Sequence, residues 1–172
     1  MPTKSQRVDF IMIAQSRLEQ CRSFMDPVFN NLLIAYTIKL SKQLGEFRKV
    51  LSVIEKSGSV DVIAKSFKPV DNVGRREARD FLSFFLKSKL AFDQLKVIIS
   101  LIEKNKISSA LRELGPFNAK INSLIGESDA QYLKLFLTSA SLKIVQEGLS
   151  RVLTMSDQAT KLLFASGARE AA

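Results

Sequence analysis

Val50-Leu51-Ser52-Val53-Ile54-Glu55-Lys56 is echoed forty-eight residues later by Ile98-Ile99-Ser100-Leu101-Ile102-Glu103-Lys104. Each copy closes a long stretch with helical spacing, and each is followed by a shorter one. A recurrence of this kind is the arithmetic of a helical repeat or a duplicated hairpin. At the same offset Leu33 meets Phe81, Tyr36 meets Phe84, Lys39 meets Lys87, Leu44 meets Phe92 and Arg48 meets Lys96. The other reading is that two amphipathic helices of similar length resemble each other by composition alone.

Working outward from the echo, apolar residues at spacings of three and four mark four long helices. Val8, Ile11, Met12, Leu18, Cys21 and Met25 outline the first. Asp26-Pro27 then reads as an N-cap with proline at the first helical position, where its missing N–H costs nothing. The second helix follows through Val28, Leu32, Tyr36, Leu40, Leu44, Phe47, Leu51 and Ile54 and ends at Ser57-Gly58-Ser59. A short helix over 60–67, stopped by Pro69, and a linker over 70–74 lead to the third, expected over 75–104 with Ala78, Phe81, Phe85, Phe92, Leu95, Ile99 and Ile102 on one face.

A short segment over 107–114 is expected to stop at Gly115-Pro116, with another short piece over 117–125. Ser128-Asp129-Ala130-Gln131 matches a capping box and so predicts the start of the last long helix, carried by Leu133, Phe136, Ala140, Ile144, Leu149 and Val152. The expected fold is all-α: an antiparallel helical bundle or a short stack of helical hairpins, with four long helices and two or three short ones. It forms one domain over 1–166, with 167–172 as a frayed tail.

Composition agrees. The 172 residues are 46% hydrophobic and 25% charged, which suits a folded globular chain rather than a disordered one. Seven glycines and four prolines are too few for the frequent turns of a sheet protein. The single cysteine, Cys21, precludes an internal disulfide and reads as a buried thiol in a reducing, cytoplasmic or intracellular setting. No apolar run approaches the length of a transmembrane segment.

The formal charge is +9. Nine Lys and Arg face five Asp and Glu over 1–57, ten face six over 58–106, and seven face six over 107–172, so the excess sits in the first two thirds. Such a balance favours anionic partners: nucleic acid, acidic proteins or a peripheral anionic membrane.

The chain contains no histidine. The commonest general base and metal ligand are thereby missing, and no Asp/Glu cluster has metal-ligand spacing. Glycine-rich phosphate loops are absent from the sequence too. The reading is therefore non-enzymatic, with no cofactor.

Two clusters remain as candidate sites. Arg75, Arg76 and Arg79 crowd the start of the third long helix, where cations oppose the helix dipole and an anion would relieve them. With Lys89 and Lys96 they outline a basic flank able to follow a phosphate backbone. The alternative is local pairing, with Asp71 four residues before Arg75 and Asp80 four after Arg76. Phe81, Phe84 and Phe85 widen the apolar face of the same helix and could offer a partner surface, or could be enclosed by neighbouring helices. The favoured function is a helical protein-interaction module, an adaptor, effector or assembly factor open to self-association. The alternative is a nucleic-acid-binding or packaging protein.

Overall fold

The computed structural model describes residues 2–40 and 75–167, with the side chains at 37–40, 75 and 78 excepted. The Val50–Lys56 copy of the echo, the short helix over 60–67 and the linker over 70–74 lie outside these residues, as does nearly all of the tail. Every element among the described residues is a helix: α1 (Lys4–Leu40), α2 (Arg75–Glu103), α3 (Ile107–Glu127), α4 (Gln131–Phe136) and α5 (Ser139–Ala165). The chain is all-α in this sense.

Proline did not punctuate as expected. Pro27 lies inside α1 and Pro116 inside α3, so Asp26-Pro27 is no helix start and Gly115-Pro116 no helix end. The physical reason is placement. A proline within a helix leaves the carbonyl four residues earlier without its N–H. Here Pro27 and Pro116 are exposed, and so are Ser23 and Arg112, which carry those carbonyls. Water can serve on a solvent-facing side, where helices bow outward anyway. Asn31 Nδ2 also donates to the Pro27 carbonyl at 2.8 Å.

The buried stripe of α1 is Ala14, Leu18, Cys21, Met25, Val28, Leu32, Ala35 and Tyr36. Val8 and Met12, which spacing assigned to the core, are instead 50% and 63% exposed. Small Ala14 continues the true stripe where the larger residues suggested another.

This stripe packs on α5, and the two helices run antiparallel: Arg7 lies near Gly167, Cys21 Sγ donates to the Val152 carbonyl at 3.4 Å, and Val28 meets Gly148. At Gly148 the approach is very close. A Cβ there would stand 2.5 Å from Val28 Cγ2 and 3.3 Å from the Phe24 carbonyl oxygen, so only glycine permits the crossing.

Helix α2 spans 75–103, close to its expected bounds. It ends in a Schellman turn, in which Asn105 takes φ 58° and Lys106 N donates to the Leu101 carbonyl at 2.8 Å. Asparagine tolerates that left-handed setting better than most residues. The turn sends α3 back antiparallel to α2, with Gln94 beside Glu113 and Lys87 beside Glu127.

The last region is also divided differently from the expectation. Ser128 is no capping residue of a following helix; it closes α3, its hydroxyl donating to the Ile125 carbonyl at 2.6 Å. A six-residue α4 follows, and the real long-helix start is Thr138, whose hydroxyl oxygen accepts from Ser141 N at 3.1 Å. Helix α5 then continues unbroken to Ala165. It packs antiparallel on α3 as well as on α1, with Asn118 bonded to Ser156 and Thr160, and Gln146 bonded to the Ser128 carbonyl. Helix α2 closes against α1 through Phe85, whose ring centroid is 5.2 Å from that of Phe29.

Candidate functional site

The basic flank lies along α2, and its members have different environments. Arg75 is the first residue of the helix. Arg76 and Arg79 are exposed. Lys89 is mostly covered and bonded to Asp93 Oδ1 at 2.6 Å, while Lys96 stands over the Phe92 ring with its Nζ 4.5 Å from the centroid. From Arg76 to Lys96 the helix rises about 30 Å at ~1.5 Å per residue. The structure therefore does not gather the four of these cations whose side chains are described. It leaves two exposed arginines near one end, one lysine neutralised by its neighbour and one resting on an aromatic face.

Arg76 lines a recess of about 370 Å³ where the first turns of α2 meet α4. Glu77, Asp80, Tyr132 and Lys134 share its wall. Cations and carboxylates alternate there, so the recess has no single sign with which to draw an anion. Tyr132 hydroxyl reaches Glu127 Oε2 at 3.5 Å. Burial, then the negative charges of Glu127 and Asp80, push its phenol above the ordinary range, so it is a neutral hydrogen-bond donor.

Phe81, Phe84 and Phe85 have no exposed surface. The partner surface expected of them is a correction: their rings are spent inside the chain. Phe81 stacks on Phe136 of α4 at 4.2 Å, and Phe85 faces Phe29 and lies 6.4 Å from Tyr36, centroid to centroid. Stacked and tilted aromatic pairs of this sort add about 0.5–1.5 kcal/mol each beyond area burial. A helix with neighbours on several sides uses a wide apolar face internally.

Cys21 is a free, buried thiol, as expected of a lone cysteine. Burial pushes it up from the ordinary 9.0 to about 12, far from the thiolate that nucleophilic chemistry requires. Among the described residues no three His, Cys, Asp or Glu side chains are placed to hold a metal ion, and no helix is long and apolar enough to cross a membrane.

Two surface features escaped the sequence. The first is at the start of α1, where Val8, Met12 and Ile13 are exposed among Lys4, Arg7 and Arg17. Their spacing resembles that of core residues, and only the packing of α1 on α5 distinguishes them. The second is a recess of about 310 Å³ between α2 and α3, lined by Lys87, Leu90, Lys120, Ser123 and Leu124. Its residues come from two helices whose pairing cannot be read from either alone. Comparison with protein-family models, curated proteins and solved structures finds no match to this chain.

Proposed function

We propose that this chain is a non-enzymatic helical interaction module whose helices complete an antiparallel bundle, and whose partner is an acidic protein docking on the first turns of α1. The observation that carries this reading is the outward placement of Val8 and Met12, one turn apart, with Ile13 beside them. Exposed apolar groups gain most when a partner removes them from water, at about 25 cal/mol per Å² of buried apolar area. Charge selects the partner. Lys4, Arg7, Arg17 and Arg22 outnumber Asp9 and Glu19 over this stretch, so two copies meeting face to face would repel, whereas an acidic surface would be drawn in.

Nucleic acid is the second reading, favoured by exposed Arg76 and Arg79 and by the net charge of +9. One titration separates the two. A mixed-sequence oligonucleotide is added at low and at physiological salt, to the wild-type chain and to Arg76→Gln/Arg79→Gln. Binding that weakens steeply with salt, and further in the variant, establishes the nucleic-acid reading. Absence of binding at low salt removes it. The protein reading is tested by a photocrosslinker at position 12: an acidic protein trapped there, and lost from Met12→Glu, supports it. Crosslinks to a second copy of the chain alone would replace the acidic partner with self-association.

A further inference from the structure

We infer that the recess between α2 and α3 is a binding site for a small amphipathic carboxylate, one anionic head on a short hydrocarbon chain. The inference is independent of the docking surface on α1. Its floor is apolar: Leu124 is buried, and Leu90 is half-buried and packed against the core. The rim holds one ammonium from each helix, Lys87 from α2 and Lys120 from α3. Apolar lining with a few convergent polar groups is the usual make-up of a small-molecule site, and about 310 Å³ stands at the small end of the ~300–1,000 Å³ that such sites occupy.

The two lysines differ in how their charge is met. Lys87 Nζ is 3.0 Å from Glu127 Oε1, so a carboxylate already answers it. Lys120 Nζ is bonded, also at 3.0 Å, to Gln94 Oε1, a neutral amide oxygen. Gln94 is itself oriented by its Nε2, which donates at 3.3 Å to both the backbone carbonyl and Oε2 of Glu113. The amide thus holds the Lys120 ammonium in place, and among the described residues no carboxylate stands within ion-pair distance of it. One positioned cation with no ion pair among the described residues, beside an apolar floor, calls for one anionic head, and a charge-assisted bond to Lys120 would fix it while the chain lies along Leu90 and Leu124. A longer or multiply charged ligand would meet Glu127 at the Lys87 side.

The test titrates octanoate below its aggregation threshold into the full chain, followed by calorimetry and by amide chemical shifts, with acetate and octyltrimethylammonium as controls for head and tail. Octanoate should bind about tenfold or more tighter than either control, with shifts centred on residues 90, 120, 123 and 124. Lys120→Met should weaken octanoate about tenfold and abolish the preference for the anion. Ser123→Trp, at an exposed position on the rim, should block the recess; if that variant does not fold, Lys120→Met decides alone. The inference is overturned by equal binding of octanoate and octyltrimethylammonium, by an unchanged affinity in Lys120→Met, by shifts centred elsewhere, or by a tetraglutamate peptide competing as well as octanoate.

Discussion

The α1–α5 and α2–α3 pairs are both antiparallel and both bury apolar residues, and they differ at their edges. Where α1 meets α5 the contact is apolar and close, sealed by Cys21, Met25, Val28, Leu149 and Val152 and drawn tight at Gly148. Where α2 meets α3 a set of long side chains spans the edge: Lys87 to Glu127, Gln94 to Glu113 and Lys120 to Gln94. The second pair adds these side-chain bonds at the rim of the apolar core that both helices share, and a recess lies beside them. Close packing and a recess are alternatives at a helix interface, and the described residues show both.

The sharpest way to break the contrast is to force the α1–α5 pair apart. Gly148→Ala should destabilise the chain by about 1–3 kcal/mol, the usual cost of overpacking, even though alanine is the better helix former. The Cβ meets a β-branched Val28 that has little rotamer freedom in a helix, and a backbone carbonyl that cannot move aside. Denaturant unfolding measures it, and an unchanged midpoint would show that the crossing is looser than described.

A second effect comes from pH. Below pH 9 the Cys21 thiol keeps its proton whether the chain is folded or not. Above it the unfolded chain ionises while the folded one holds the proton until about 12. Stability conferred by that thiol is therefore complete below pH 9 and lost as pH rises toward 12, by up to about 1.4 kcal/mol per pH unit. Unfolding curves between pH 8 and 11 should show this slope, and Cys21→Ala should flatten it. Tyr132, whose phenol is also raised, adds in the same direction and persists in the variant.

The smallest effect is expected at the α2–α3 edge. Lys87 is half exposed and Glu127 a third exposed, so Lys87→Ala should cost less than about 1 kcal/mol, and salt should erase most of the difference. A larger loss would mean that this pair contributes to stability as the apolar seam does.

Particular residues show what could be read in advance. Helix α2 was legible almost to its ends because its apolar spacing is uninterrupted and Asn105 stops it by chain geometry. Pro27 and Pro116 misled because proline breaks a helix only where the orphaned carbonyl cannot reach water, and which side faces water is a tertiary fact. The Thr138 start was hidden by Leu133, Phe136 and Ala140, whose spacing runs straight across the break between α4 and α5. At the candidate sites the basic residues were visible, but their environments were not. That Lys89 would be neutralised and Lys96 laid on Phe92 depends on rotamers, and that Phe81 would meet Phe136 depends on where α4 packs. Lys120 drew no notice in sequence because its bond to Gln94 exists only across two helices.

The polar trio of Asn118, Ser156 and Thr160, with Ser156 buried and the other two partly so, has a further consequence. Apolar surfaces accept many alignments, but the bonds from Asn118 to Ser156 and Thr160 form at one setting of α3 on α5, and a slide by a single turn would break both. Asn118 faces α5, and Lys120, two residues on, faces α2. The trio therefore acts as an index mark: by fixing the alignment of α3 on one side, it sets where the Lys120 ammonium arrives on the other.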